Sequence, residues 1–461
     1  MKKGKRMKFV PKYDPAFMPF AVELEKFRKE VSKTAHKKLK ICVERNKGNN
    51  YILAEDIFSD TEKNERNYAI IERLVKAALW VAGGYKIYVF GDEYIYNRLS
   101  IDYTLTGARK FDVDFMSGVY EKDFEVVSVT EKDFPDYSPC LVKIGGHLDG
   151  CRIGFDAGGS DRKVSAVIDG KVVYSEEVVW NPKLSKDYHY QYDGIKSALL
   201  TAASKMPRVD AVGVSSAGVY IDNKIMVSSL FINIPQKDYK PHVQTMYLDI
   251  AKELGYPIEV ANDGDVTALA GAMELHATNV LGIALGTSEA GGYINSTGTL
   301  NGWISELAFV PVDLAPTAMA DEWSGDIGCG VKYFSQDAVI KLAQNAGIKF
   351  DEILTPAEKL KTIQSLLEKG DEVAKEIFAD IGIYLGYTIA FYSEFYDIDY
   401  LLLLGRVTSG VAGTIIADNA KLVLDSGFPK LSSVKIVLPD ESNKRVGQSI
   451  AAASLTSVCQ Q

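Results

Sequence analysis

The chain has 461 residues, is 47% hydrophobic and 25% charged, and carries a net charge of −9. That length exceeds one core of ordinary size, and the acidic balance argues against the whole molecule gripping nucleic acid. No apolar run reaches the roughly 20 residues of a membrane-spanning helix. The five cysteines (Cys42, Cys140, Cys151, Cys329, Cys459) are odd in number and never spaced as CxxC, and the five histidines are dispersed. Neither a disulfide framework nor a local zinc knuckle is expected.

The start, MKKGKRMKFVPKYDP, is basic, but Pro11 and Asp14 interrupt it before the apolar core of a signal peptide develops, so a cytoplasmic protein is the simplest reading. Residues 1–49 hold fifteen Lys/Arg against five Asp/Glu. Such an arm suits nucleic acid or an acidic partner, although a solvated, partly helical surface is the plainer reading. Residues 1–150 read as an α+β module. Helices are expected over 20–38 and over 64–81, where Tyr68, Ile71, Leu74 and Ala78 recur at helical spacing. Strands are expected over 86–92, 109–120 and 124–129. This module has no glycine-rich phosphate loop and no helix-turn-helix signature, and its sequence assigns it no function.

A different pattern begins at residue 151. CRIGFDAGGSDRKVSAVIDGKVVYSEEVV reads as three strands, with a Gly-Gly turn after Asp156 and an Asp169-Gly170 hairpin turn. A helix follows over 192–205, then the buried strand and turn VDAVGVSSAGVY, a helix over 240–254, the strand IEVAN and a helix from Asp265. The plan then repeats. VLGIALGTSEAGGYINSTGTLNG again gives strand, small-residue turn and strand. Helices over 335–346, 356–367 and 372–396, strands over 400–410 and 434–440, and a closing helix over 445–457 complete the chain. Two tandem copies of one α/β plan, each opening on a phosphate-type turn, are the most specific feature of the sequence.

Turns of small residues can bring backbone N–H groups close to a phosphate. DAGGSDR (Gly158, Gly159, Ser160) and GTSEAGG (Gly286, Thr287, Ser288) both qualify, and their equivalent places in the two repeats strengthen each other. Asp156 ends a buried strand beside the first turn. It is either a turn-capping carboxylate or the group that orients a hydrated magnesium ion. Asp263 ends another strand and starts a helix. It is either a helix cap or a general base that takes a hydroxyl proton as the oxygen attacks a phosphoryl group.

With these segments in order, residues 153 to the end resemble the ROK family (repressor, open reading frame, kinase) of the hexokinase/actin/heat-shock ATPase superfamily. IGFDAGGSDRKVSAVIDG resembles the first phosphate motif, VGVSSAGVY the Gly-x-Gly-x-Pro-Gly segment, and EVANDGDVTALAGAM the Asn-Asp signature. LGTSEAGGYI resembles the second phosphate loop and LLLLGRVTSGVAG the adenosine-side glycine segment, which would bring in Gly405, Ser409 and Gly410.

The resemblance implies two actin-like (ribonuclease H-like) lobes, 151–272 and 273–461, with a central nucleotide cleft, preceded by the α+β module; the closing helix would pack back on the first lobe. It implies ATP and magnesium as the phosphoryl-transfer apparatus, a small sugar as substrate and a homodimer as assembly. Asn262, Glu306, Ser216 and Gly218 would contact the sugar and Asp263 would be the base.

Two departures bear on the substrate. The family's Gly-Glu-x-x-His segment reads SELAF here, so Glu306 is kept but Phe309 stands for the histidine. The zinc loop retains only Cys329, and Val331 occupies the position of a sugar-binding glutamate. Zinc is therefore not expected, and a plain glucokinase is not the expected activity: either the substrate differs, as a sugar carrying an apolar or acyl substituent would, or residues 1–150 supply the missing contacts, or the activity is lost. The alternative is a non-catalytic sugar sensor or transcriptional regulator of the same family.

Overall fold

The computed structural model describes residues 8–140, 143–439 and 444–457, with side chains from 447 onward in the last stretch. The first seven residues of the basic arm, Asp440 at the end of the last expected strand, and Cys459 lie outside the described residues. In chain order the elements are α1 (Phe20–Val31), β1 (His36–Glu44), β2 (Asn50–Phe58), α2 (Asn64–Ala82), β3 (Lys86–Phe90), α3 (Glu93–Asp102), α4 (Lys110–Tyr120) and β4 (Glu125–Ser128). There follow β5 (Cys151–Ala157), β6 (Asp161–Ile168), β7 (Lys171–Val179), α5 (Tyr188–Ala203), β8 (Ala211–Ser216), β9 (Val219–Ile221), β10 (Lys224–Val227), the single turn α6 (Gln236–Asp238), α7 (Met246–Leu254), β11 (Ile258–Asn262) and α8 (Asp263–Leu275). The remainder is β12 (Val280–Leu285), β13 (Glu289–Ile294), α9 (Gln336–Asn345), α10 (Pro356–Glu368), α11 (Glu372–Tyr392), β14 (Tyr400–Leu404), α12 (Val411–Gly427), β15 (Lys435–Val437) and α13 (Lys444–Ala453).

The chain divides into two compact units. One comprises residues 1–140, 283–290 and 305–438; the other comprises 141–282, 291–304 and 439–461. The first 140 residues thus share a unit with most of the C-terminal half.

In that first unit, β2-β1-β3-β4 form a sheet with β1 paired antiparallel to β2 and β3. Strand β1 was hidden in the sequence because its first three residues are exposed, two of them lysines, but Leu39, Ile41, Cys42 and Val43 are buried. The expected helix over 20–38 therefore stops at Val31. Its face of Phe20, Leu24, Phe27 and Val31 is buried, with the Phe20 ring stacked on Phe391 at 4.3 Å. The expected strand over 109–120 is a helix, α4. Alternation of Phe111, Val113 and Phe115 suggested period two, but Val113, Met116, Val119 and Tyr120 are its buried residues, at helical spacing.

The second unit is built on the sheet β11-β8-β5-β6-β7, in which β5 runs parallel to β8 and antiparallel to β6. The β6–β7 turn is the expected one, with Asp169 and Gly170 both at positive φ (48° and 76°). Helix α13 lies against this sheet so closely that a Cβ on Gly154 or Gly213 would strike the carbonyls of Ser449 or Ala452. Ser165 and Ser449 are hydrogen-bonded at 2.8 Å across that contact. The remaining sheet has the order β13-β12-β14-β15. No helix among the described residues is long and apolar enough to cross a membrane.

Candidate functional site

Asp156 is the penultimate residue of β5, fully flanked by β6 and β8, and only 7% exposed. Ser215, its register partner on β8, donates its hydroxyl to Asp156 Oδ1 at 2.8 Å. Burial pushes the carboxyl up to about 6, opposed by the Ser215 hydrogen bond and the charge of Lys163, and assisted by the charge of Asp263. The turn that follows is held from outside by Trp180, whose indole N–H donates to the Gly158 carbonyl at 2.8 Å and whose backbone N–H donates to Ser160 O at 3.0 Å. A Cβ on Gly158 would press on the Asp161 carbonyl. A Cβ on Gly159 would lie 3.4 Å from Lys183 Cε, so the Lys183 side chain runs along the turn.

Asn262 and Asp263 sit where β11 passes directly into α8. The Asn262 side chain is fixed at both ends: Nδ2 donates to Gly218 O at 2.7 Å, and Oδ1 accepts from the Gly264 amide at 2.7 Å, capping the helix. Asp263 Oδ1 accepts the same amide at 3.0 Å. Burial raises the Asp263 carboxyl, while the Gly264 N–H and the Lys183 charge restrain the rise. Gly218 is at φ 136°, a conformation that favours glycine. Ser216, expected beside the substrate, is fully buried and its oxygen accepts the hydroxyls of Tyr220 (2.6 Å) and Tyr247 (3.1 Å). Its visible work is to set the turn that presents Gly218. Gly292, the last residue of GTSEAGG, has a packing reason: a Cβ on Gly292 would strike the Gly264 carbonyl and one on Gly264 the Gly291 carbonyl, so this part of β13 lies directly on the start of α8.

The other expected residues belong to the first unit. There the Gly286–Ser288 turn closes through a Gly286 N–H to Ser288 O bond at 3.0 Å, and the Gly286 carbonyl accepts the Gln336 amide of α9. Gly405, at φ 93°, is pressed against the backbone of Leu285, where no Cβ fits. Arg406 beside it donates Nη2 to Thr287 Oγ1 at 2.8 Å, tying the two glycine segments together. Ser409 and Gly410 precede α12, with Gly410 at φ 63°. Glu306 is half-buried, and its backbone N–H donates to the Trp80 carbonyl at 2.9 Å.

Phe309 and Val331 are taken up in packing. Phe309 lies against Trp80 (4.3 Å between centroids) and Phe111 (5.3 Å), and borders a small core of Ala308, Cys329 and Val331. Burial pushes the Cys329 thiol up to about 12, and no group of three metal-ligating side chains occurs among the described residues.

Lys183, Ser215 and Arg406 are not among the candidate residues of the sequence. Ser215 and Lys183 carry no local signal, because their role comes from register and from a loop folding over a turn. Arg406 had one: a charged residue inside a glycine segment.

A family model described as the ROK family matches residues 152–445, more than half of the chain. No curated protein matches the chain significantly. Among solved structures, a ROK family transcriptional regulator, a homologue of the E. coli MLC protein, is similar with a TM-score of 0.53 and 18% identity, over 67% of this chain and 79% of that one. The ROK hexokinase from Thermus thermophilus has a TM-score of 0.50 and 17% identity, over 66% of this chain and 97% of its own. A ROK family glucokinase from Streptomyces griseus, in complex with glucose and AMPPNP, has a TM-score of 0.45 and 21% identity, over 66% and 98%. The first two share their α/β fold with this chain.

Proposed function

The chain belongs to the ROK family, and on that premise we propose that it phosphorylates a hydroxyl of a sugar or sugar derivative from ATP, with Asp263 as the general base. The observation that carries this reading is the Asn262–Asp263 pair. Asn262 is immobilised by two hydrogen bonds and Asp263 is held at a helix start with its carboxyl raised by burial. A carboxylate shifted toward neutrality is a better proton acceptor for an attacking hydroxyl than an exposed one. A regulator that only senses sugar has no use for that acceptor, so its retention favours chemistry.

The remaining roles follow from position. Gly158, Gly159 and Ser160 would offer backbone donors to phosphate, and so would Gly286, Thr287, Ser288, Gly405, Ser409 and Gly410. Asp156 would hold a hydrated magnesium ion through its waters, and a buried strand-end carboxylate with one hydroxyl donor fits that task. When bound, the ion supplies positive charge to the phosphate oxygens. Asn262, Gly218 and Glu306 would position the sugar. Because Phe309 and Val331 are engaged in apolar packing, fewer polar side chains meet the substrate, which suits a derivatised sugar.

The test is a coupled kinase assay over hexoses, N-acyl hexosamines and polyols with the wild type and Asp263→Asn. A substrate turned over by the wild type and by the variant alike would remove Asp263 from the mechanism. Sequence-selective, salt-sensitive DNA binding with no turnover would replace the kinase by the regulator.

A further inference from the structure

The N-terminal 140 residues received no function from sequence, yet one of their helices reaches the segment that carries Glu306. Helix α2 is buried over most of its length and ends at Gly83. Two of its last carbonyls are taken up by this segment: Val81 O accepts the Ser305 N–H at 3.0 Å and Trp80 O accepts the Glu306 N–H at 2.9 Å. Ser305 is held at φ 48°, an uncommon conformation for a residue with a side chain, so something must pin it there. The Trp80 ring also lies on Phe309, three residues beyond Glu306.

A second tie lies one turn back along the same helix. Asp326, which follows Glu306 in the loop leading to Cys329, accepts three cations: Arg73 Nη1 at 2.8 Å, Lys76 Nζ at 2.8 Å and Arg109 Nη1 at 3.0 Å. Glu72 bridges Arg73 and Arg109 at 2.6 Å each, and Asp112 takes Lys76 at 3.2 Å and the Trp80 indole N–H. Three cations thus face three anions. Lys76 is fully buried, a placement that is tolerated only when the charge is paired. Burial alone would lift the Asp326 carboxyl, but Arg73 and Lys76 hold it below its usual range. Breaking a buried network of this kind leaves an uncompensated charge, so it fixes geometry more firmly than an exposed ion pair would.

We infer that helix α2 is the positioning element of the substrate side: its terminal carbonyls and its ion cluster with Asp326 hold Glu306 in place, and the N-terminal residues serve the kinase site rather than a separate activity. The inference rests on the proposed role of Glu306 as a sugar contact. Trp80, Lys76 and Asp326 act through Glu306 and are positioning residues.

The experiment measures sugar KM, kcat and ATP Kd for the full-length wild type, Asp326→Asn, Glu306→Gln and the double variant. Asp326→Asn should raise sugar KM about tenfold or more, with kcat within about threefold and ATP Kd within about twofold. In the Glu306→Gln background the same substitution should add less than about threefold, because the residue it positions is already impaired. An unchanged KM in Asp326→Asn, or effects that multiply independently in the double variant, overturns the inference while leaving the kinase reading intact. A wild type that turns over no sugar in the panel overturns both. Should Asp326→Asn not fold, Trp80→Phe keeps an aromatic ring at this buried position but loses the N–H to Asp112 and part of the ring volume against Phe309. It should raise KM about threefold, and an unchanged value counts against the inference in the same way.

Discussion

Ser215 and Asp156 lie side by side on adjacent parallel strands, both buried, with the serine hydroxyl donating to Oδ1 of the aspartate at 2.8 Å. Because burial sets the carboxyl near 6, kcat/KM should fall on the acid side with an apparent pKa near that value, as the group proposed to orient magnesium becomes protonated. Ser215→Ala removes a hydrogen bond to the charged form, so the acid limb should move up by about one pH unit. The pH–rate profile of the two proteins checks this, and a limb that does not move shows that another group controls it. A stability consequence has the opposite sign. The folded value lies above the ordinary 3.8, so the protonated form is favoured by folding, and stability from this group is lost as pH rises from about 4 to about 6. Asp156→Asn should therefore stabilise the nucleotide-free protein at pH 7 in calorimetry while abolishing turnover.

Asp263→Asn keeps the shape of the helix start and can still accept the Gly264 N–H, so the fold and ATP affinity should be little changed. If Asp263 is the general base proposed above, its loss should lower kcat by about 10²–10⁴, with sugar KM within a few-fold. Steady-state kinetics on the best substrate decide it. A fall confined to KM would make Asp263 a binding group.

The second unit was the more legible part of the chain, for physical reasons. Strands β5 to β7 announce themselves because β7 alternates exposed and half-buried residues along its length, and Asp169-Gly170 fits the positive-φ turn. The Asn262–Asp263 step was visible because one residue closes a strand and the next opens a helix. In the first unit, lysines mask β1, and α4 reads as a strand because Phe111 and Phe115, four residues apart on a helix, also satisfy strand alternation. The participation of α2 in holding Glu306 could not be read locally at all. It depends on backbone carbonyls of Trp80 and Val81 meeting a segment more than two hundred residues away, and main-chain contacts leave no mark on side-chain pattern.

Arg406 is exposed and bonded through Nη2 to Thr287 Oγ1, so its guanidinium stands between two turns proposed to hold phosphate. A cation there would add attraction that grows with the number of phosphates. Arg406→Ala should weaken ATP about tenfold while affecting adenosine by less than about twofold, as read by isothermal calorimetry. Equal losses for both ligands would assign Arg406 to holding the loop instead of the phosphates.

Glu289 opens β13 immediately after the Gly286–Ser288 turn and is 3% exposed. Tyr392 donates to Oε1 at 3.3 Å, Oε2 has no hydrogen-bond partner among the described residues, and a Cβ on Gly330 would run into that oxygen. Burial pushes the carboxyl up to about 8 from its ordinary 4.5, with the Tyr392 hydrogen bond opposing. The folded state therefore keeps a proton that the unfolded chain releases. The contribution to stability is complete below about 4.5, declines by up to ~1.4 kcal/mol per pH unit above it, and is gone once the pH passes about 8. Glu289→Gln cannot ionise, so unfolding free energy measured in denaturant at pH 5, 6.5 and 8 should lose that downward slope. At pH 8 the variant should equal or exceed the wild type, even if its amide costs something at pH 5 by burying an unpaired donor. A wild-type slope that survives in Glu289→Gln would place the titration on another buried group.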